Sequence, residues 1–185
     1  MFAYGVLSWF GFFDYSAKEV IENYNKRSSD FRNLADYFNS IQPKNKRVKI
    51  EFKNRHFIDK CDIQVSGKWI HLKNISTKSS KVDTLFQLTG WNQSNLSELY
   101  KRLKAVNSIS IQSNYYMPGE KSCEVGFQRR GNGVFHYLLF EPPIPDSLKA
   151  TYNDSCHLVL INNRAAISWY IGSIGPDCLY GNRQR

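Results

Sequence analysis

Apolar residues recur along this chain with two periods, and the switches between them predict the order of elements. Between Ser16 and Pro43, Val20, Ile21 and Tyr24, then Phe31, Leu34, Ala35 and Phe38, form one helical stripe. Ser16-Ala-Lys-Glu19 has the form of a capping box, in which each end of the motif satisfies the other's free N–H. Ser28-Ser29-Asp30 interrupts the stripe, which predicts a kink or a restart, and Pro43 stops it. Lys18, Glu22, Lys26, Arg27 and Arg32 fall on the solvent side.

Arg47–Lys53 alternates without a fault, with Val48, Ile50 and Phe52 on one side and charges on the other. That is a strand with one wet face, hence part of an antiparallel sheet. Cys61–Val65 and Trp69–Leu72 flank Ser66-Gly67-Lys68 as a hairpin, and Asn74–Lys81 is a polar loop. Ser80 is expected to cap a short helix bearing Val82, Leu85 and Phe86, which Gly90 ends. Asn92 or Ser94 starts another, with Leu96, Leu99, Tyr100 and Leu103 on one face and Asn107 at its end.

Ser108–Ser113 alternates again, and Asn114–Lys121 is a loop carrying Tyr115 and Tyr116. Ser122–Phe140 reads as one long hairpin. Cys123, Val125 and Phe127 alternate with polar residues, and Arg130-Gly131-Asn132-Gly133 supplies positive-φ residues for the turn. The return run, Val134–Phe140, is nearly all apolar, which predicts a central strand covered on both faces. Glu141-Pro-Pro-Ile-Pro145 excludes regular structure, and Asp146–Tyr152 allows a turn or two of helix. Cys156–Ile161, a turn at Asn162-Asn163 and Arg164–Ile171 make a last hairpin before an irregular tail. The expected fold class is α+β: a single domain over residues 16–185, with an antiparallel sheet of hairpins packed against about three helices. Residues 1–15 stand apart from it. Met1–Phe13 is uncharged and apolar, and serves either as a degenerate export signal or as a lead-in packed on the core.

Composition agrees. In 185 residues, 42% hydrophobic and 15% aromatic content suits one domain with a real core, and the aromatic share favours sheet. The net charge of +9 draws the chain towards anionic partners without naming one. Lys44, Lys46, Arg47, Lys49, Lys53 and Arg55 cluster around the first strand, and Lys101, Arg102 and Lys104 lie on a later helix. Basic residues among aromatics are what a nucleic-acid binder needs. The simpler alternative is a solvated face, with Lys49, Glu51 and Lys53 as the mixed charge that protects a sheet edge.

The chemistry of catalysis is sparse. His56, His71, His136 and His157 sit in no nucleophile motif, and Cys156 and His157 are adjacent, so on a strand they face opposite sides. No His-x-x-x-His or Cys-x-x-Cys pair presents metal ligands, and Gly131-Asn-Gly133 lacks the lysine and following helix of a phosphate loop. No cofactor, metal or catalytic residue is expected. Cys61 and Cys123 fall on the apolar phase of strands as small buried hydrophobes. Cys156 and Cys178 flank the last hairpin and are in position for a disulfide if the protein is exported.

Short phrases in the chain resemble a family. Pro145-Asp-Ser-Leu-Lys149, Tyr152-Asn-Asp-Ser-Cys156, Ile174-Gly-Pro-Asp-Cys178 and Phe12-Phe-Asp-Tyr-Ser16 are similar to uncharacterised small proteins of Bacteroidetes, many of them lipoprotein-like. The resemblance implies an envelope location and a Cys156–Cys178 pair, and brings no activity. Trp9 stands where a lipid-bearing cysteine is expected, a departure that argues against the lipid anchor itself; membrane association is expected only through the N-terminal segment.

These observations favour a non-enzymatic binding protein with a protein partner, of envelope-accessory or immunity type. The candidate surface is the turn carrying Arg129, Arg130 and Asn132, with Tyr115, Tyr116 and Trp169, because Arg, Tyr and Trp make interface anchors. A basic nucleic-acid binder and a hydrolase of unrecognised type are the alternatives.

Overall fold

The computed structural model describes residues 16–113, 121–130, 133–154, 157–171 and 175–176. The segment 1–15, Tyr115, Tyr116, Asn132, Cys156 and Cys178 lie outside them.

Two helices open the domain, α1 (Ala17–Lys26) and α2 (Ser28–Ile41). The capping box is present: Ser16 Oγ accepts the Glu19 N–H at 3.3 Å, and Glu19 Oε2 accepts the Ser16 N–H at 2.7 Å. Arg27 separates the helices, so the Ser28-Ser29-Asp30 interruption is a restart. A meander follows, β1 (Arg47–Asn54), β2 (Phe57–Val65) and β3 (Lys68–Ser76). Its second turn is the two residues Ser66 and Gly67, both at positive φ, which matches the right-handed twist of the strands they join. Helices α3 (Ser80–Thr89) and α4 (Gln93–Ala105) come next. The caps are Ser79 and Asn92, and Gly90 closes α3 in the left-handed conformation. The chain then returns to the sheet with β4 (Ser110–Ser113), β5 (Cys123–Arg130), β6 (Gly133–Leu139), β7 (Leu158–Asn162), β8 (Ala165–Ile171) and the short β9 (Gly175–Pro176).

All strands join one antiparallel sheet in the order β3-β2-β1-β4-β5-β6-β8-β7, with β9 paired to β8. The fold is therefore α+β, as the periodicity predicts, with four α-helices among the described residues. The helices cover one face. Val48, Ile50, Cys61, Ile63, Ile111, Val125 and Ile167 meet Val20, Phe31, Phe38, Leu85, Leu96 and Leu99 in a single core. Tyr137 is its centre: fully buried, its ring lies 4.5 Å from that of Phe31, and its hydroxyl donates to Val20 O and accepts from Asn23 Nδ2.

The segment after β6 builds a second, smaller core on the opposite, outer face. Phe140, Ile144 and Tyr152 fold back over Leu138 and Ala166, held by Phe140 N–H to Arg164 O and Ile144 N–H to Asn163 O. Strand β6 is thereby covered on both faces, which explains its apolar run. Each of these large side chains contributes about 1.5–3 kcal/mol by leaving water. The rest of the outer face, across β3, β2, β1, β4 and β5, is mostly polar, with Trp69 of β3 an exposed exception.

Two expectations need correction. Strand β1 is not an edge: it lies between β2 and β4, so Lys49 and Glu51 stand mid-sheet. One edge of the described sheet is β3, protected instead by Lys68 and Lys73 and by an irregularity at Asn74, whose φ is 52°. Gly133 does not adopt a left-handed conformation, being absent from the positive-φ glycines Gly67 and Gly90. Its reason for being glycine is steric, since a Cβ there would overlap the Trp169 ring.

Candidate binding face

Register places the charged residues of the outer face in rows across the strands. One row runs His71, Asp62, Lys49, Gln112 and Glu124 before turning apolar at Leu138. The next holds Lys73, Lys60, Glu51, Ser110, Gly126, His136 and Ser168. Residues in a row point the same way, which is why groups distant in sequence come together here.

Three carboxylates of this face, Asp62, Glu51 and Glu124, are already engaged. Asp62, only 5% exposed, lies 2.9 Å from Lys60 Nζ and 2.7 Å from His71 Nδ1. Glu51, 7% exposed, receives both Nε and Nη2 of Arg129 at 2.6 Å. Glu124 accepts Gln112 Nε2 at 2.7 Å through one oxygen and stands 2.5 Å from His136 Nδ1 through the other. Burial pushes the Glu124 carboxyl up, but the facing His136, with Gln112 and Lys49, outweighs it and holds the group below its usual range. The Lys49 side chain acts on Glu124 through its charge and makes no hydrogen bond or ion pair among the described residues.

At this corner the sheet forms a cleft of about 210 Å³, lined by Arg47, Lys49, Asp62, Trp69, His71 and Gln112. Trp69 is 37% exposed and stacks on His71, with ring centroids 6.5 Å apart and planes at 20°. Asp62 fixes His71, so the platform is held from beneath.

The structure separates the residues that the sequence groups around the β5–β6 turn. Arg129 is on the outer face, tied to Glu51. Trp169 is on the inner face, across the pair from Phe135 at 4.3 Å, packed against the main core. Arg130 ends β5 opposite Gly133. Tyr115, Tyr116 and Asn132 are outside the described residues, as are Cys156 and Cys178. Cys61 and Cys123 are free and buried, and no disulfide occurs among the described residues. His136 does not line the cleft, and His157 sits at the surface against Asp154 at 3.2 Å. No group of metal-ligating side chains occurs among the described residues.

Lys49 on β1 and the basic residues of α4 lie on opposite sides of the sheet, because α4 covers the inner face. Arg102 is occupied there, with Asn33 O at 3.0 Å, Glu98 at 2.8 Å and the Tyr37 ring beneath it. Lys46 is also occupied, donating to Leu88 O.

The sequence reading missed Glu51, Asp62, Glu124 and the Trp69–His71 platform. The only signal for them was a polar phase on each strand, which does not say which strands are neighbours. No described helix is long and apolar enough to cross a membrane. Compared with protein-family models, curated proteins and solved structures, the chain matches none.

Proposed function

We propose that this is a non-enzymatic binding protein whose recognition surface is the polar half of the outer sheet face, and whose partner is an acidic segment of another protein. One observation carries this reading: Asp62, Glu51 and Glu124 are each paired within the face, while the Lys49 side chain, which lines the cleft, makes no hydrogen bond or ion pair among the described residues. Such a face attracts negative charge and repels positive. The resemblance to small envelope proteins of Bacteroidetes directs the search for that partner to the envelope.

The test is calorimetric titration with polyglutamate at low and raised salt. Binding should weaken on the double charge reversal Arg47→Glu, Lys49→Glu. It should not change on Lys101→Glu, whose side chain is 80% exposed on the other side of the sheet. Equal loss in both variants, or no binding at low salt, sinks the proposal.

Single-stranded nucleic acid is a second reading, favoured by the exposed Trp69 ring, on which a base can stack. Against it, no continuous basic track leads away from the cleft among the described residues. Lys53 lies roughly 20 Å along β1 from Arg47, and the basic residues of α4 are on the far side.

A further inference from the structure

Resting on that reading of the outer face, we infer that the partner's anchor is a single carboxylate seated between Lys49 and His71, and that His71 takes up a proton as it binds. Recognition is thereby linked to pH.

Register sets His71, Asp62 and Lys49 side by side on β3, β2 and β1. His71 and Lys49 are thus two strands apart, roughly 10 Å between Cα atoms, and both line the same cleft. The flexible stem of Lys49 lets its ammonium approach the ring, so one carboxylate can offer an oxygen to each. At about 210 Å³ the cleft falls short of the roughly 300 Å³ at which pockets for drug-sized ligands begin. It has room for one side chain, not for a whole cofactor.

The existing pairs leave this seat open. Asp62 has Lys60 at 2.9 Å on one oxygen and His71 Nδ1 at 2.7 Å on the other. Gln112 is turned to Glu124. Lys49 has no hydrogen bond or ion pair among the described residues, and an incoming carboxylate satisfies it without displacing anything.

His71 supplies the proton link. Its side chain is 57% exposed, and Nε2 has no hydrogen-bond partner among the described residues. Because the Asp62 carboxylate is an acceptor, the neutral ring carries its proton on Nδ1 and presents a lone pair at Nε2, which repels a carboxylate. Only the imidazolium offers an N–H there.

The surrounding charges set the direction. Asp62 on β2 favours the imidazolium, whereas Lys60 beside it, Lys49 and Arg47 on β1 and Lys73 on β3 itself oppose it. The helices pack on the other side of the sheet. A partner's carboxylate adds a second negative charge at the ring and offsets Lys49, so the imidazolium is favoured more in the complex than in the unbound protein. By reciprocity, affinity rises as pH falls through the range, about pH 8 to 5, in which histidine changes charge.

The experiment is calorimetric titration of the full chain with capped hexaglutamate at low salt, from pH 6 to pH 8, each point in two buffers of different ionisation heat. The peptide's carboxylates stay charged throughout. Affinity should fall about tenfold from pH 6 to pH 8, with uptake of up to about one proton per peptide between them. His71→Gln should bind at pH 6 as weakly as the wild type at pH 8, and take up no proton. Lys49→Met should bind at least about fivefold more weakly at pH 6 and at pH 8. Thermal melting checks that the variants fold. NMR of the His71 ring in the wild type needs no variant: its titration midpoint should lie about one pH unit higher with saturating peptide, the counterpart of the tenfold change.

Binding that is weakened by Lys49→Met but is the same at every pH overturns the proton link and leaves the acidic-partner reading standing. An unchanged pH profile in His71→Gln, or an unmoved His71 midpoint, overturns it too. Full affinity in Lys49→Met removes that residue from the seat and overturns the inference. Absence of binding at every pH overturns both the inference and the reading it rests on.

Discussion

Arg129 and Glu51 meet as a two-pronged pair, with Nε and Nη2 each 2.6 Å from a different carboxylate oxygen. They are separated by 78 residues, on strands β5 and β1, with β4 running between them. The carboxylate is nearly buried and the guanidinium half exposed. A β-bulge after Gly126 turns β5 so that Arg129 reaches across β4.

Removing one member should therefore cost more than an ordinary surface pair. Arg129→Ala strands a buried carboxylate, and we expect a loss of about 1–3 kcal/mol in urea unfolding. The Coulomb part is reduced by solvent at Arg129. In a Glu51→Gln background the same substitution should cost under about 1 kcal/mol. Equal costs in both backgrounds show that the pair is not the cause.

Glu124 gives the protein an acid limit. Its folded pKa lies below the ordinary value of about 4.3. Its contribution to stability is thus complete above that value and is lost as pH falls through the lower, folded one. Urea midpoints measured from neutral pH down to about pH 3 should fall more steeply in the wild type than in Glu124→Gln. An unchanged slope would show that His136 does not hold the carboxylate charged.

Cys61 and Cys123 should resist alkylation in the folded protein. Both are essentially inaccessible, and burial pushes the Cys61 thiol up and the Cys123 thiol up to about 12, so neither forms the reactive thiolate near neutral pH. Iodoacetamide mapped by mass spectrometry should modify both only after unfolding. Rapid modification of either without denaturant contradicts the packing.

Gly133→Ala tests the correction made at the β5–β6 turn. The added methyl collides with the Trp169 ring, which Phe135 backs, so the ring must move. A loss of about 1–3 kcal/mol and a changed near-ultraviolet circular dichroism signal are expected. With Trp169→Leu in place, the added cost of Gly133→Ala should largely vanish. A persistent cost would mean that the glycine serves the backbone after all.

Much of this protein is set by local pattern. The capping box of Ser16 and Glu19, the stop at Gly90, the Ser66-Gly67 turn and the alternation of β1 depend on neighbours a few residues away, so the sequence displays them. Even the coverage of β6 on both faces is readable, because a strand buried on two sides has no reason to alternate. Strand order is different. Antiparallel strands expose the same period whether they lie at an edge or in the middle, so Lys49 and Glu51 read as edge charges until β4 is seen to pair with β1.

The binding face follows from that order. Asp62, Lys49, Gln112 and Glu124 form a row only because β2, β1, β4 and β5 are neighbours, while α3 and α4 intervene in the chain. The same logic parts Arg129 from Trp169. Both stand close to one turn, yet the register sends one to the polar face and the other to the core. By itself the sequence determined the α+β class, the elements and their apolar faces, because local periodicity and capping encode them. Only the tertiary structure decided which charges neutralise one another and which are left facing solvent, because that depends on cross-strand pairing between residues far apart in the chain.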